Sequence, residues 1–153
     1  MGRIGADIDV SIALPAVEAL WYDTARWPSF VDGFARVVKV DDGWPEEGGR
    51  LVWESTPRGR GRVVERVTGH EPGVGQTVAV EDPKLRGVQR VQFEALADGT
   101  AVALALEYDL KEPDNPLRPL VDLLFIRRAL RDALRRTLVR FGRELDADAQ
   151  LLG

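Results

Sequence analysis

The chain has 153 residues, 44% hydrophobic and 30% charged, with a net charge of −4 and no cysteine. That length fits one domain spanning 1–153, and the balance is that of a folded globular chain rather than a disordered one. The charge disfavours nucleic acid as a partner, and the absence of cysteine excludes disulfides, thiolate catalysis and cysteine metal sites.

The N-terminal stretch "MGRIGADIDV" carries one arginine and no apolar h-region, so no signal peptide is expected. No apolar run approaches the roughly 18 residues that cross a bilayer, which predicts no stable membrane insertion and a cytoplasmic address. Ile8, Val10 and Ile12 alternate with polar residues and predict a first strand. Pro15 then stands at a helix-start position, and Val17, Leu20 and Trp21 follow at helical spacing. A second short helix is predicted from a capping Thr24, ended early by Pro28. From Ala35 to Lys111, six runs rich in Val, Leu and aromatics are separated by glycine-rich turns. They read as antiparallel hairpins, most clearly at "ADGT", where Asp-Gly joins two alternating runs. Asp114 or Asn115 can cap a final helix that takes Pro116 at its first position and runs to about Asp148. At 1.5 Å per residue it would be about 45–50 Å long. Leu123, Ile126, Leu130, Leu134, Thr137, Leu138 and Phe141 form its apolar stripe, with Arg127 on the edge.

A six-strand meander needs cover on its apolar face, and only the last helix is long enough to supply it. The order of elements predicts an α+β fold: a curved antiparallel sheet of about seven strands wrapped around a long C-terminal helix, with two short helices after the first strand. Four stretches carry a family resemblance: "LPAVEALWYDTARWPSF", "VVERVTGHEPG", "DGTAVALALEYDL" and "LLFIRRALRDALRRTLVRFGREL". In order and spacing the chain resembles the START-like (SRPBCC) helix-grip superfamily, and within it the polyketide cyclase/dehydrase and lipid-transport group. The resemblance covers nearly the whole chain. It implies an internal cavity for a hydrophobic small molecule.

The inventory for catalysis is thin. Ser11, Ser29 and Ser55 are the only serines, and no nucleophile elbow surrounds them. His70, the single histidine, lies in "TGHEPG" and reads as a solvated turn residue. One histidine cannot build a metal cluster, and no phosphate-loop or dinucleotide fingerprint occurs, so neither metal nor cofactor is expected. "RGRGR" places Arg58, Arg60 and Arg62 in one hairpin tip, where they can meet a phosphate or simply stay solvated.

Candidate pocket residues follow from alternation along the strands. Leu104, Leu106 and Tyr108 share the larger apolar face of the last strand with Val102, and Val91 and Phe93 turn inward on the strand before it. Trp53 and Ser55 belong to the inner set of their strand. The register of the family resemblance turns Val67 inward, and Glu65 goes with it. Trp21, Trp27 and Phe30 would close one end of the space, and Ile126, Arg127 and Leu130 would face it from the helix. Each aromatic also reads as plain core, and Glu65 with Arg127 also reads as a structural ion pair. Ala129 and Ala133 beside larger residues predict an enclosed space of a few hundred Å³ next to Phe93, Leu104 and Leu106, within the ordinary small-ligand range of about 300–1,000 Å³.

Three readings stand at this point. The chain binds a lipid, quinone or polyketide-like molecule without chemistry; or it is a polyketide aromatase/cyclase, with Glu65 as base and Tyr108 as acid or donor; or it is a regulatory, co-chaperone-like interaction protein. No residue is assigned a catalytic role. Phe125 and Val139, on the polar side of the final helix, would suit a homodimer or partner face.

Overall fold

The structure, a computed structural model, describes residues 1–111 and 120–153. Strand β1 (Gly2–Val10) leads into helix α1 (Leu14–Tyr22), a 3₁₀ turn (Thr24–Arg26) and the single-turn helix α2 (Trp27–Phe30). Six strands follow: β2 (Phe34–Val40), β3 (Arg50–Ser55), β4 (Arg62–Glu71), β5 (Gly75–Glu81), β6 (Leu85–Leu96) and β7 (Gly99–Leu110). Helix α3 (Leu120–Leu152) closes the described chain. All seven strands form one antiparallel sheet in the order β1-β7-β6-β5-β4-β3-β2. The expected α+β helix-grip architecture is the observed one. The predicted helix caps at Asp114 and Asn115, with Pro116, lie outside the described residues.

Alternation sets which face of the sheet is inside. On β7, Val102, Leu104, Leu106 and Tyr108 are buried, and on β4, Val63, Glu65 and Val67 are buried while Arg62 and Arg66 face out. A bulge between Val67 and Gly69 then shifts the phase of β4 by one residue. His70 is consequently a strand residue paired with Gln76, and its side chain is only 4% exposed. This corrects the solvated-turn expectation. The His70 Nδ1 atom lies 3.0 Å from Glu46 Oε2, and its ring meets the Tyr22 ring edge-on at 5.1 Å.

The short helices also differ from expectation in one detail. Asp23, not Thr24, caps the 3₁₀ turn, accepting a hydrogen bond from the Ala25 N–H. Pro28 stands in the first turn of α2 rather than ending the segment, because that position has no intrahelical partner for an N–H. The turn directs Trp27 and Phe30 inward. Trp21, Phe30 and Phe141 pack mutually with ring centroids 5.1–5.9 Å apart, tying α1 and α2 to α3.

The sheet holds α3 unevenly. Thr137, Leu138, Phe141, Gly142 and Leu145 are buried in its C-terminal half. Gly142 permits close approach to β1: a Cβ there would stand 3.1 Å from Ile8 Cδ1. In the N-terminal half, Ile126 and Leu130 are only half-buried, and Leu123, Leu124 and Phe125 are exposed. The predicted apolar stripe therefore packs against the sheet at one end and stands off it at the other, leaving an opening. Among the described residues, no helix is long and apolar enough to cross a membrane.

Candidate functional site

The opening has an inner and an outer part. The inner cavity, about 80 Å³, lies between α2, the sheet and α3. Trp21, Trp27 and Trp53 form one wall, and Leu104 and Leu106 of β7 form the floor. Leu130, Ala133 and Leu134 of α3 close it from above. Trp27 and Trp53 are fixed by their neighbours. The Trp27 indole N–H donates to the Trp21 carbonyl at 2.8 Å, and Trp53 stacks on Phe34 with ring centroids 4.9 Å apart.

The sheet contributes two polar side chains to this largely apolar lining, Glu65 of β4 and Gln89 of β6, beside Asp32, Arg60 and Thr137 from the loops and α3. The Trp53 indole N–H donates to Glu65 Oε2 at 2.7 Å. Burial pushes the Glu65 carboxyl above its usual pKa, because the ionised form loses its water. The indole hydrogen bond and the charge of Arg60 act in the opposite direction and only partly offset it. A carboxyl in this setting can hold its proton at higher pH than an exposed one, so it can donate as well as accept a hydrogen bond.

Arg60 and Asp82 stand at the boundary with the outer cleft. Asp82 is 1% exposed on its side chain and accepts from Arg60 Nε at 2.8 Å. Its other oxygen accepts from the backbone N–H groups of Lys84 at 2.7 Å and Leu85 at 3.0 Å. These bonds hold the Arg60 guanidinium 5.8 Å from the centre of the Trp53 ring. Outside lies a cleft of about 680 Å³ lined by Leu85, Leu110, Ile126, Ala129 and Leu130. Asp32, Arg60, Leu130 and Ala133 line both spaces and so mark the passage between them.

A sequence model of the family described as "Polyketide cyclase / dehydrase and lipid transport" matches residues 1–146. The chain belongs to that family. A crystal structure of TTHA0849 from Thermus thermophilus superposes with a TM-score of 0.75 at 15% identity, over 96% of this chain and 99% of that one. The di-domain ARO/CYC StfQ of the steffimycin biosynthetic pathway gives a TM-score of 0.75 at 16% identity, over 97% of this chain and 51% of that one. DR_A0006 from Deinococcus radiodurans gives 0.61 at 22% identity, over 94% and 96%. At these identities the likeness is one of fold. No curated protein matches the chain in sequence.

In this member of the polyketide cyclase/dehydrase and lipid transport family, the candidate residues divide by position. Trp27, Trp53, Glu65, Leu104, Leu106 and Leu130 line the inner cavity, and Ile126 lines the outer cleft. Phe30 is fully buried in the aromatic cluster with Trp21 and Phe141, and Phe93 packs against Tyr22. The Tyr108 ring lies over Gly2, its partner on β1, where the missing side chain leaves room. Ser55 serves its hairpin: its hydroxyl accepts from the Gly61 N–H and donates to the Thr56 carbonyl. Arg127 is exposed on α3, so the expected ion pair with Glu65 does not form, and Trp53 takes its place. The single enclosed space of a few hundred Å³ beside Phe93 is likewise corrected to a small cavity joined to a larger open cleft.

Three residues that sequence reasoning passes over for the inner cavity belong to it, Asp32, Arg60 and Gln89, whereas Trp21 lines it as expected of the short helices. Gln89 has the parity of Val91 and Phe93, so extending the alternation by one pair finds it. Arg60 has no such signal. It sits in a glycine-flanked hairpin, and only the fold brings that hairpin against Asp82 and Trp53.

Proposed function

We propose that the chain is a single binding domain for a hydrophobic small molecule of lipid, quinone or polyketide-like type, held between the sheet and α3. The observation that carries this reading is the tryptophan- and leucine-lined cavity opening through Leu130 and Ala133 into a larger apolar cleft. Mostly apolar walls with a few placed polar groups are the usual make-up of such sites. Trp27, Trp53, Leu104, Leu106, Ile126 and Leu130 supply the apolar contacts, and Glu65 and Gln89 supply orientation. Native mass spectrometry of freshly purified protein tests it, with a co-purified apolar molecule as the expected result. No adduct, together with no uptake of the neutral dye Nile red, would reject it.

A second reading, an aromatase/cyclase, is favoured by one observation: a carboxyl with raised pKa inside an aromatic cavity. Glu65 would move a proton while the walls hold the chain bent for ring closure. Tyr108 does not share that role, since its ring is spent over Gly2. Glu65→Gln separates the readings. In a binding protein it changes affinity only, whereas in a cyclase it abolishes turnover of a polyketone analogue that still binds.

A further inference from the structure

The outer cleft is basic in a protein that is acidic overall. The chain carries a net charge of −4, yet four cations, Arg58, Arg60, Lys84 and Arg136, line the cleft against two carboxylates, Asp32 and Asp82, among the described residues. Both carboxylates are already committed. Asp82 is occupied by Arg60 and two backbone N–H groups. Asp32 accepts from Arg136 at 3.0 and 3.1 Å, with Arg140 at 3.4 Å. Arg58 and Lys84 have no ion-pair partner among the described residues. Clefts lined by one sign of charge with low-dielectric walls concentrate the opposite charge.

Arg60 adds a more local observation. Its Nε bonds Asp82, but Nη2 is buried with no hydrogen-bond acceptor. Such a donor is costly to leave unmet. The guanidinium is anchored on its Nε side at the passage where cavity and cleft meet, with apolar α3 residues on one side and Trp53 on the other. We propose that the ligand is a hydrophobic carboxylic acid, its carboxylate held by Arg60 with Arg58 and Lys84 around it and its apolar body lying along Ile126, Ala129 and Leu130. This rests on reading the cavity and cleft as a ligand site, and it adds the class of the ligand. Planar two-oxygen heads suit a guanidinium because two N–H groups meet both oxygens.

The test compares two probes with one fluorescent body, 1-pyrenebutyrate and 1-pyrenebutanol, by titration at low salt and at about 0.5 M salt. The acid is expected to bind about tenfold tighter than the alcohol at low salt, with the difference shrinking at high salt. Arg60→Gln should remove most of that preference and change alcohol binding by less than about twofold. Because Arg60→Gln strands Asp82, the surface double variant Arg58→Gly/Lys84→Ala is a second arm, expected to weaken only the acid, by about threefold or more. Equal affinity of the wild type for both probes would overturn the inference and leave the ligand site standing. So would equal weakening of both probes in Arg60→Gln, which would make Arg60 structural. Failure of folded wild-type protein to bind either probe would overturn the site reading and this inference together.

Discussion

Glu65 is the residue at which burial and function compete. Its carboxyl has a raised pKa in the fold, so the protonated form is the one the fold prefers. The contribution to stability is therefore complete below the ordinary carboxyl pKa and is lost as pH rises through the raised value. Glu65→Gln removes the charge and keeps an oxygen that can accept from Trp53. The variant is expected to be more stable than wild type at about pH 7, with the difference vanishing near pH ~4, read by urea midpoints across that range. Equal pH dependence in the two proteins would mean that the carboxyl is hydrated in solution. Trp53→Phe removes the donor instead. It leaves Glu65 Oε2 without its partner and should cost about 1–3 kcal/mol in the same urea measurement.

At the scale of elements, the fold depends on how α2 and the loop after it hold α3. Phe30 and Phe141 are fully buried against each other and Trp21. Phe141→Ala should lose about 3–5 kcal/mol by chemical denaturation, the range for a large aromatic removed from a packed core. Asp32 makes a second tie: its backbone N–H donates to Thr137 Oγ1 at 2.9 Å, and its carboxylate accepts from Arg136. A third joins Arg26 to Glu144 at 2.8 Å and Asp148 at 3.0 Å. These groups are partly solvated, so Arg26→Ala is expected to cost about 1 kcal/mol or less, and less still at high salt. All three ties fall on the C-terminal half of α3. The N-terminal part has no comparable anchor among the described residues, which is why the cleft opens there.

For the whole molecule, the grip of the sheet on α3 defines a passage flanked by Leu130 and Ala133. Ala133→Trp should fill that passage. The expected result is loss of Nile red uptake with a thermal midpoint within a few degrees of wild type, since the new side chain enters existing space rather than displacing core. Retained uptake would place the dye elsewhere.

Much of this is legible in the residues themselves. Alternation in β6 and β7 specifies which side chains face inward, because a strand has a two-residue period and one face must be apolar. That turns Leu104 and Leu106 inward, as the structure has them, and the helical spacing of Leu130, Leu134 and Leu138 orients α3; in β4 both faces carry valine and charge, so the inward Glu65 follows from the register of the family resemblance instead. Where the period breaks, reading along the chain fails: the bulge after Val67 turns His70 inward without any mark in composition. Arg127 escapes the reading because a helix edge position is assigned by angle alone, whereas the sheet departs from α3 at that end. Arg60 reads as part of a hairpin tip, and nothing local distinguishes it from Arg58 or Arg62. The sequence by itself determined the elements, their order and the inner faces of β6 and β7, since these follow from local periodicity and turn chemistry. Only the tertiary structure decided that one hairpin arginine meets a buried aspartate, that Trp53 rather than an arginine partners Glu65, and how far the sheet closes on α3. Those outcomes depend on contacts between residues distant in the chain, where sheet curvature and packing, not the local pattern, set the distances.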